Sequence, residues 1–177
     1  MHTTNAGDDA VFRDAIQGLN NGDFSRLEPL FGSADARAHI IEWHEKGRFR
    51  DEPKALAEAL TCACFLGRTG VAKYLFAHGV DPSGGAGTGL NAFHWATNRG
   101  QLEAVRLLIE WNTSFEPRSR YGGNVLDTAV WSAINEPRPD HLRIIEELLK
   151  AGATLADEKW PTGREEIDAL LKCHKAV

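Results

Sequence analysis

Cysteine is scarce in this chain, with three among 177 residues. Cys62 and Cys64 stand two apart, so on a helix they point to different faces and cannot bridge each other. Cys173 lies far away near the C-terminus. Three free thiols are expected, which excludes a disulfide-stapled scaffold and suits a reducing compartment. Long apolar runs are missing too, and none approaches the length that spans a bilayer. The polar start, Met1-His2-Thr3-Thr4-Asn5, lacks the apolar segment of a secretion signal. A cytoplasmic location is the expectation. There is no excess of positive charge: the formal net charge of −5 disfavours nonspecific contact with nucleic acid or anionic lipid. Local basic spots at Lys46, Arg48 and Arg50 read as solvated loop charges, as do Arg118 and Arg120. Metal-ligand spacing is also lacking, because Trp43-His44-Glu45 has no second His at helical spacing. The Gly-rich stretch 81–89 has neither the Lys-Ser/Thr nor the preceding strand of a phosphate-cradling loop. No metal and no cofactor are expected.

What the chain does have is an echo at an offset of 33 residues. Ala59-Leu60-Thr61-Cys62-Ala63 returns as Ala92-Phe93-His94-Trp95-Ala96 and again as Val125-Leu126-Asp127-Thr128-Ala129. Gly67 and Gly100 keep the offset, as do Tyr74-Leu75 and Leu107-Leu108. A fixed period of this size is the mark of a solenoid. The spacing predicts paired helices near 54–66 and 69–77, near 91–99 and 102–111, and near 124–134 and 140–151. In the last pair Asn112 aligns with Gly152, an offset of 40, so seven residues are extra. Pro137 and Pro139 mark them as a loop. Toward the start, apolar Val11, Ala15, Ile16 and Leu19, then Phe24, Leu27, Leu30 and Phe31, read as a degenerate first hairpin. An inserted helix follows, capped by Ser33, running over 34–46 and stopped by Gly47. At the end Thr162 and Glu165 read as a capping box for an amphipathic helix.

The central repeat carries a specific resemblance. Gly89-Leu90-Asn91-Ala92-Phe93-His94-Trp95-Ala96 resembles the Gly-x-Thr-Pro-Leu-His-x-Ala signature of ankyrin repeats. Gly100-Gln101-Leu102-Glu103-Ala104-Val105-Arg106-Leu107-Leu108-Ile109 resembles the second helix of that unit. Asn91 and Asn124 replace the usual Thr and can still cap a helix. The signature His survives only as His94, with Thr61 and Asp127 in its place on either side. The resemblance implies an all-α ankyrin-repeat solenoid of about four repeats plus a C-terminal capping helix. The expected organisation is a disordered tail over 1–9, a degenerate repeat over 10–32, and an inserted helix and connector over 33–53. Repeats follow over 54–86, 87–119 and 120–156, the last with its inserted loop over 134–140, before a cap over 157–177. Small Ala63, Ala96 and Ala129 let inner helices approach, while Leu75, Leu108 and Leu149 fill the space between outer ones. Trp43 and Trp111 are expected to pack, and Trp160 to anchor the cap.

The family uses its concave groove and hairpin fingers to bind other proteins. Carried over by register, the expected contact residues are Thr88, Leu90, Arg118, Arg120 and Tyr121 on the fingers. Trp95, Asn98, Arg99, Trp131 and Ser132 are expected along the inner helices. Arg118, Arg120 and Tyr121 could grip an acidic peptide. The expected partner is a protein, with no nucleic acid and no membrane, bound by a monomer. A second reading is an inhibitor or immunity-type protein that blocks an enzyme or toxin. A third is a small enzyme using His94 and Asp127, with Thr61 as a nearby hydroxyl. No nucleophile elbow accompanies that trio, so the chain is read as a binder without catalytic residues.

Overall fold

The computed structural model describes residues 6–32, 37–84, 87–155 and 161–175, and among these every regular element is a helix. Helix α1 (Ala6–Asn21) leads into a 3-10 helix, Phe24–Phe31, and then α2 (His39–Glu45). Three helix pairs follow: α3 (Pro53–Phe65) with α4 (Thr69–Ala77), α5 (Ala92–Asn98) with α6 (Leu102–Glu110), and α7 (Val125–Asn135) with α8 (His141–Lys150). Helix α9 (Glu165–Lys175) packs on α8. The helices stack in two rows. One row runs α1, α3, α5, α7, and the other runs α2, α4, α6, α8. This is the two-layer solenoid expected of the 33-residue echo.

The physical basis of the stack is legible in the side chains. Ala63, Ala96 and Ala129 are fully buried between neighbouring inner helices. Leu75 and Leu108 are fully buried in the outer row. In the third pair the equivalent position is Leu148, fully buried, while the expected Leu149 is only half-buried. The reason is the register: an offset of 40 from Leu108 lands on 148. Gly100, at φ +70, turns the chain from α5 to α6. That left-handed geometry excludes most side chains, and a Cβ there would lie 3.0 Å from Arg138. Asn91 and Asn124 do cap their helices, accepting from the backbone N–H of His94 at 3.0 Å and of Asp127 at 2.9 Å.

The ends depart from expectation. Helix α1 already begins at Ala6, inside the stretch read as a tail. Arg48 fixes it: its guanidinium bridges Asp8 and Asp9, stacks 4.2 Å over the Phe12 ring, and is largely buried. Arg48 is therefore not a solvated loop charge. The helix expected over 34–46 starts only at His39, after an extended Ala38; the expected cap, Ser33, lies outside the described residues. Helix α2 contacts α4, so it takes the outer-row place that the sequence assigned to 24–31. The 3-10 helix instead wedges against α1, α2 and α3 through buried Phe24, Leu27 and Phe31. Pro29 lies within it, where the missing N–H disfavours a regular α-helix. At the other end the loop expected over 134–140 is shortened, because α7 runs on to Asn135. Helix α5 ends at Asn98, whose equivalent is Trp131, so four of the seven extra residues add a helical turn. Thr162 pairs with Asp168 rather than Glu165: its hydroxyl donates to Asp168 Oδ1 at 2.6 Å. Trp43 is core, and Trp111 stacks on Phe76 at 3.9 Å, while Trp160 lies outside the described residues.

Candidate partner-binding groove

Helices α3, α5 and α7 and the 118–123 finger enclose a groove of about 790 Å³. Its floor is aromatic. Phe65 at the end of α3 meets Trp95 of α5 edge to face, with centroids 5.2 Å apart. Phe24 of the 3-10 helix closes on both rings at 5.5 and 6.1 Å, and Gly22 lines the groove at that end. Trp131 and Tyr121 form the open side, with 52% and 79% of their surfaces exposed. Trp95 is half-buried, and its indole Nε1 donates to Thr88 Oγ1 at 2.9 Å. That bond gives the ring a fixed pose, since a buried indole N–H needs a partner.

The finger is a tight turn. Ser119 N donates to Gly123 O at 2.8 Å, and Gly122 N to Ser119 O at 2.9 Å. Tyr121 stands at its tip. Arg120 ties this finger to the preceding one: its backbone N–H donates to Gly89 O at 2.8 Å, and its guanidinium to Thr88 O at 3.4 Å. The Arg120 side chain lies over Gly89, where a Cβ would come within 2.6 Å of it. Arg118 donates to Gly122 O at 2.7 Å within its own finger. Both arginines are exposed, yet their donors are engaged by the fingers themselves.

Leu90 of the preceding finger, with Asn98 and Arg99 of the inner row, also lines the groove. The Arg99 guanidinium sits 4.8 Å over the Phe65 ring, a cation–π arrangement. Burial lowers its pKa first, and neighbouring Arg138 adds to this, with Glu136 opposing. Ser132 corrects the expectation. It is fully buried, and its hydroxyl accepts from Asn98 Nδ2 at 3.0 Å. The added turn of α7 carries it under the surface, so it can offer nothing to a partner. Register alone would have supplied Thr128, the equivalent of Trp95, which lines the groove. Gly22 and Glu136 could not be found that way, because both arise from irregular segments.

His94 and Asp127 serve helix starts. His94 is buried, and its Nδ1 pairs with Asn91 Oδ1 at 2.8 Å within the same turn. Burial pushes its pKa down, with the backbone of Gly123 and Pro117 pulling the other way. Asp127 Oδ2 accepts from the Asn124 N–H at 3.0 Å, completing a capping box. Among the described residues no group of three or more His, Cys, Asp or Glu is placed to hold a metal ion. None of the helices described is long and apolar enough to cross a membrane. Cys62 and Cys64 are buried free thiols and Cys173 is an exposed one.

Among curated proteins none matches the chain. The family model for ankyrin repeats (3 copies) does match, over residues 60–158, which is more than half of the sequence. That span takes in α5 to α8 whole, with the caps at Asn91 and Asn124 and both sides of the groove, and the chain belongs to the ankyrin-repeat family.

Proposed function

We propose that this protein binds a partner protein in the groove between α3, α5, α7 and the 118–123 finger. Ankyrin repeats are in general protein–protein interaction modules. The observation that carries the reading is where the exposed aromatics stand. Among the described residues three large hydrophobic side chains remain exposed, Val11, Tyr121 and Trp131, and two of them flank this groove. Aromatic side chains on a shaped, partly apolar surface are the usual anchors of an interface. Leu90, Trp95, Asn98 and Arg99 supply the wall between them, with Trp95 held by Thr88. The reading is binding rather than catalysis, since His94 Nδ1 and Asp127 Oδ2 are engaged in closing their own helices. It takes the protein as a monomer in a reducing compartment, where Cys62 and Cys64 stay thiols.

The test is capture from native extract with quantitative mass spectrometry, comparing the intact protein with a Tyr121→Ala/Trp131→Ala variant. Neither side chain is core, so the melting midpoint should hold, within the about 0.5 kcal/mol usual for surface changes. The captured partner should fall by about tenfold or more, as for the loss of anchor residues. Capture that persists at the wild-type level would move the interface elsewhere.

A further inference from the structure

The sequence offered Arg118 and Arg120 as the grip for an acidic segment, and the structure points to another cation. Arg99 sits at the C-terminal end of α5, half-buried, over the Phe65 ring and facing the groove. Its guanidinium makes no hydrogen bond and no ion pair with any described residue. The contrast with other arginines is direct. Arg48, Arg68 and Arg106 are each ion-paired, and Arg118 and Arg120 donate to backbone carbonyls. A guanidinium has five donors in a fixed fork suited to a carboxylate. Withdrawing it from water without a partner is unfavourable.

A second cation stands beside it. The loop after α7 is pinned back onto the central repeat by His141, whose Nδ1 accepts from Arg138 N at 3.1 Å and whose Nε2 reaches Asn98 O at 3.2 Å. This lays the Arg138 side chain over Gly100, next to Arg99. Arg138 is exposed and also lacks an ion pair with any described residue. Two carboxylates belong to the same wall. Asp127 is nearly fully buried and Oδ2 is held by its capping bond. Glu136 is exposed at the rim and lies beyond salt-bridge distance of Arg99. The local balance at Arg99 is thus two cations against one free carboxylate. That balance disfavours a cation in the aromatic floor and leaves room for a single acidic group.

We infer that the groove reads an acidic–aromatic segment of its partner, seating an aromatic side chain among Trp95, Tyr121 and Trp131 and pairing an adjacent Asp or Glu with Arg99. The inference rests on the groove being the binding site. Arg138 adds attraction at the rim, and Glu136 discourages a long run of acids. A cavity of about 790 Å³ holds several side chains of an extended peptide.

The experiment pans a displayed random-peptide library on the full chain and measures enriched peptides by fluorescence polarisation. Enriched peptides should carry Phe, Tyr or Trp next to Asp or Glu. Arg99→Gln should weaken them by about tenfold or more, as for loss of a charge-assisted pair. Arg138→Gln should cost less, about two- to threefold, and added salt should weaken binding. Arg143→Gln, on the outer row, should change nothing. Changing the peptide's acid to its amide should reproduce the Arg99→Gln loss in the wild type and add nothing in that variant. Thermal melts check folding, and Arg99→Lys, which keeps the charge without the fork, should lie between. Peptides that require Trp131 but bind Arg99→Gln undiminished overturn the inference and leave the groove standing. Peptides indifferent to Trp131 overturn both. A basic consensus, or no enriched peptide, overturns the inference.

Discussion

Helices α5 and α7 occupy equivalent places one period apart, yet they do different things with the same register. Both start at a capping Asn, and both bury a central Ala. In α7 the third residue is Asp127, which returns to the Asn124 N–H and closes a reciprocal box. In α5 it is His94, which doubles up on the same Asn91 oxygen. The surfaces differ more. Trp95 on the first turn of α5 is held by Thr88, whereas its equivalent on α7 is Thr128. Asn98 at the end of α5 is answered by exposed Trp131 on α7, one turn before that helix ends. The framework residues repeat and the groove residues do not. In a solenoid that division is physical, since stacking constrains only the faces that touch a neighbour.

The largest break should come from the shared framework. Ala96 is fully buried on a helix flanked by α3 and α7, and Ala129 is fully buried on one that contacts α5 and α8. Tryptophan at either position has no room. Ala96→Trp should cost about 3 kcal/mol or more, at the upper end for overpacking, because both inner-row interfaces must open. Ala129→Trp should cost less, about 2 kcal/mol, with one inner-row interface disturbed. Urea denaturation followed by far-UV circular dichroism measures both. A wild-type midpoint for Ala96→Trp would refute the stacking register.

Smaller effects should separate the two caps. Asn124 closes a box and also donates from Nδ2 to Thr154 O at 2.9 Å. Asn124→Ala should therefore cost about 2 kcal/mol, and Asn91→Ala about 1 kcal/mol, within the usual range for a cap. Asp127→Asn should recover part of the box and lie well below Asn124→Ala. Equal losses at Asn91 and Asn124 would mean that the Asn124–Thr154 bond adds no more than the second bond of Asn91, to His94 Nδ1.

These pairs also show how far the sequence could be read. Period and motif carried the all-α solenoid, the boundaries of α4 and both Asn caps, because each depends on residues close together in the chain. Leu149 was misplaced by one residue where the offset changes from 33 to 40. The 3-10 helix and α2 were exchanged because both are short and apolar on one side, so periodicity could not say which reaches α4. In the groove, Tyr121 and Trp131 were legible as register positions of aromatic type. Ser132 was not, since an added helical turn moved it inside. The engagement of Arg118 and Arg120 by finger carbonyls depends on backbone geometry that composition does not encode.

The smallest difference between the two helices is their response to acid. His94 is buried with its pKa below the usual histidine value, so the unfolded chain binds a proton more readily than the folded one. Its contribution to stability is then complete above the unfolded value of about 6.5, and is lost as pH falls through that value toward the folded one. His141 is also lowered by burial and acts in the same direction. Glu58 opposes them: burial raises its pKa, so its effect favours the folded state at low pH and fades as pH rises. The comparison must therefore be made variant against wild type across the pH range. His94→Asn places an amide N–H near the position of Nδ1 and removes the titration, so its melting midpoint should fall less between pH 7 and 5 than that of the wild type. Helix α7 carries no histidine, and the equivalent place is Asp127. Parallel curves for wild type and His94→Asn would show that the α5 start is not where acid acts, and would shift the effect to His44 and His141, whose pKa values burial also lowers.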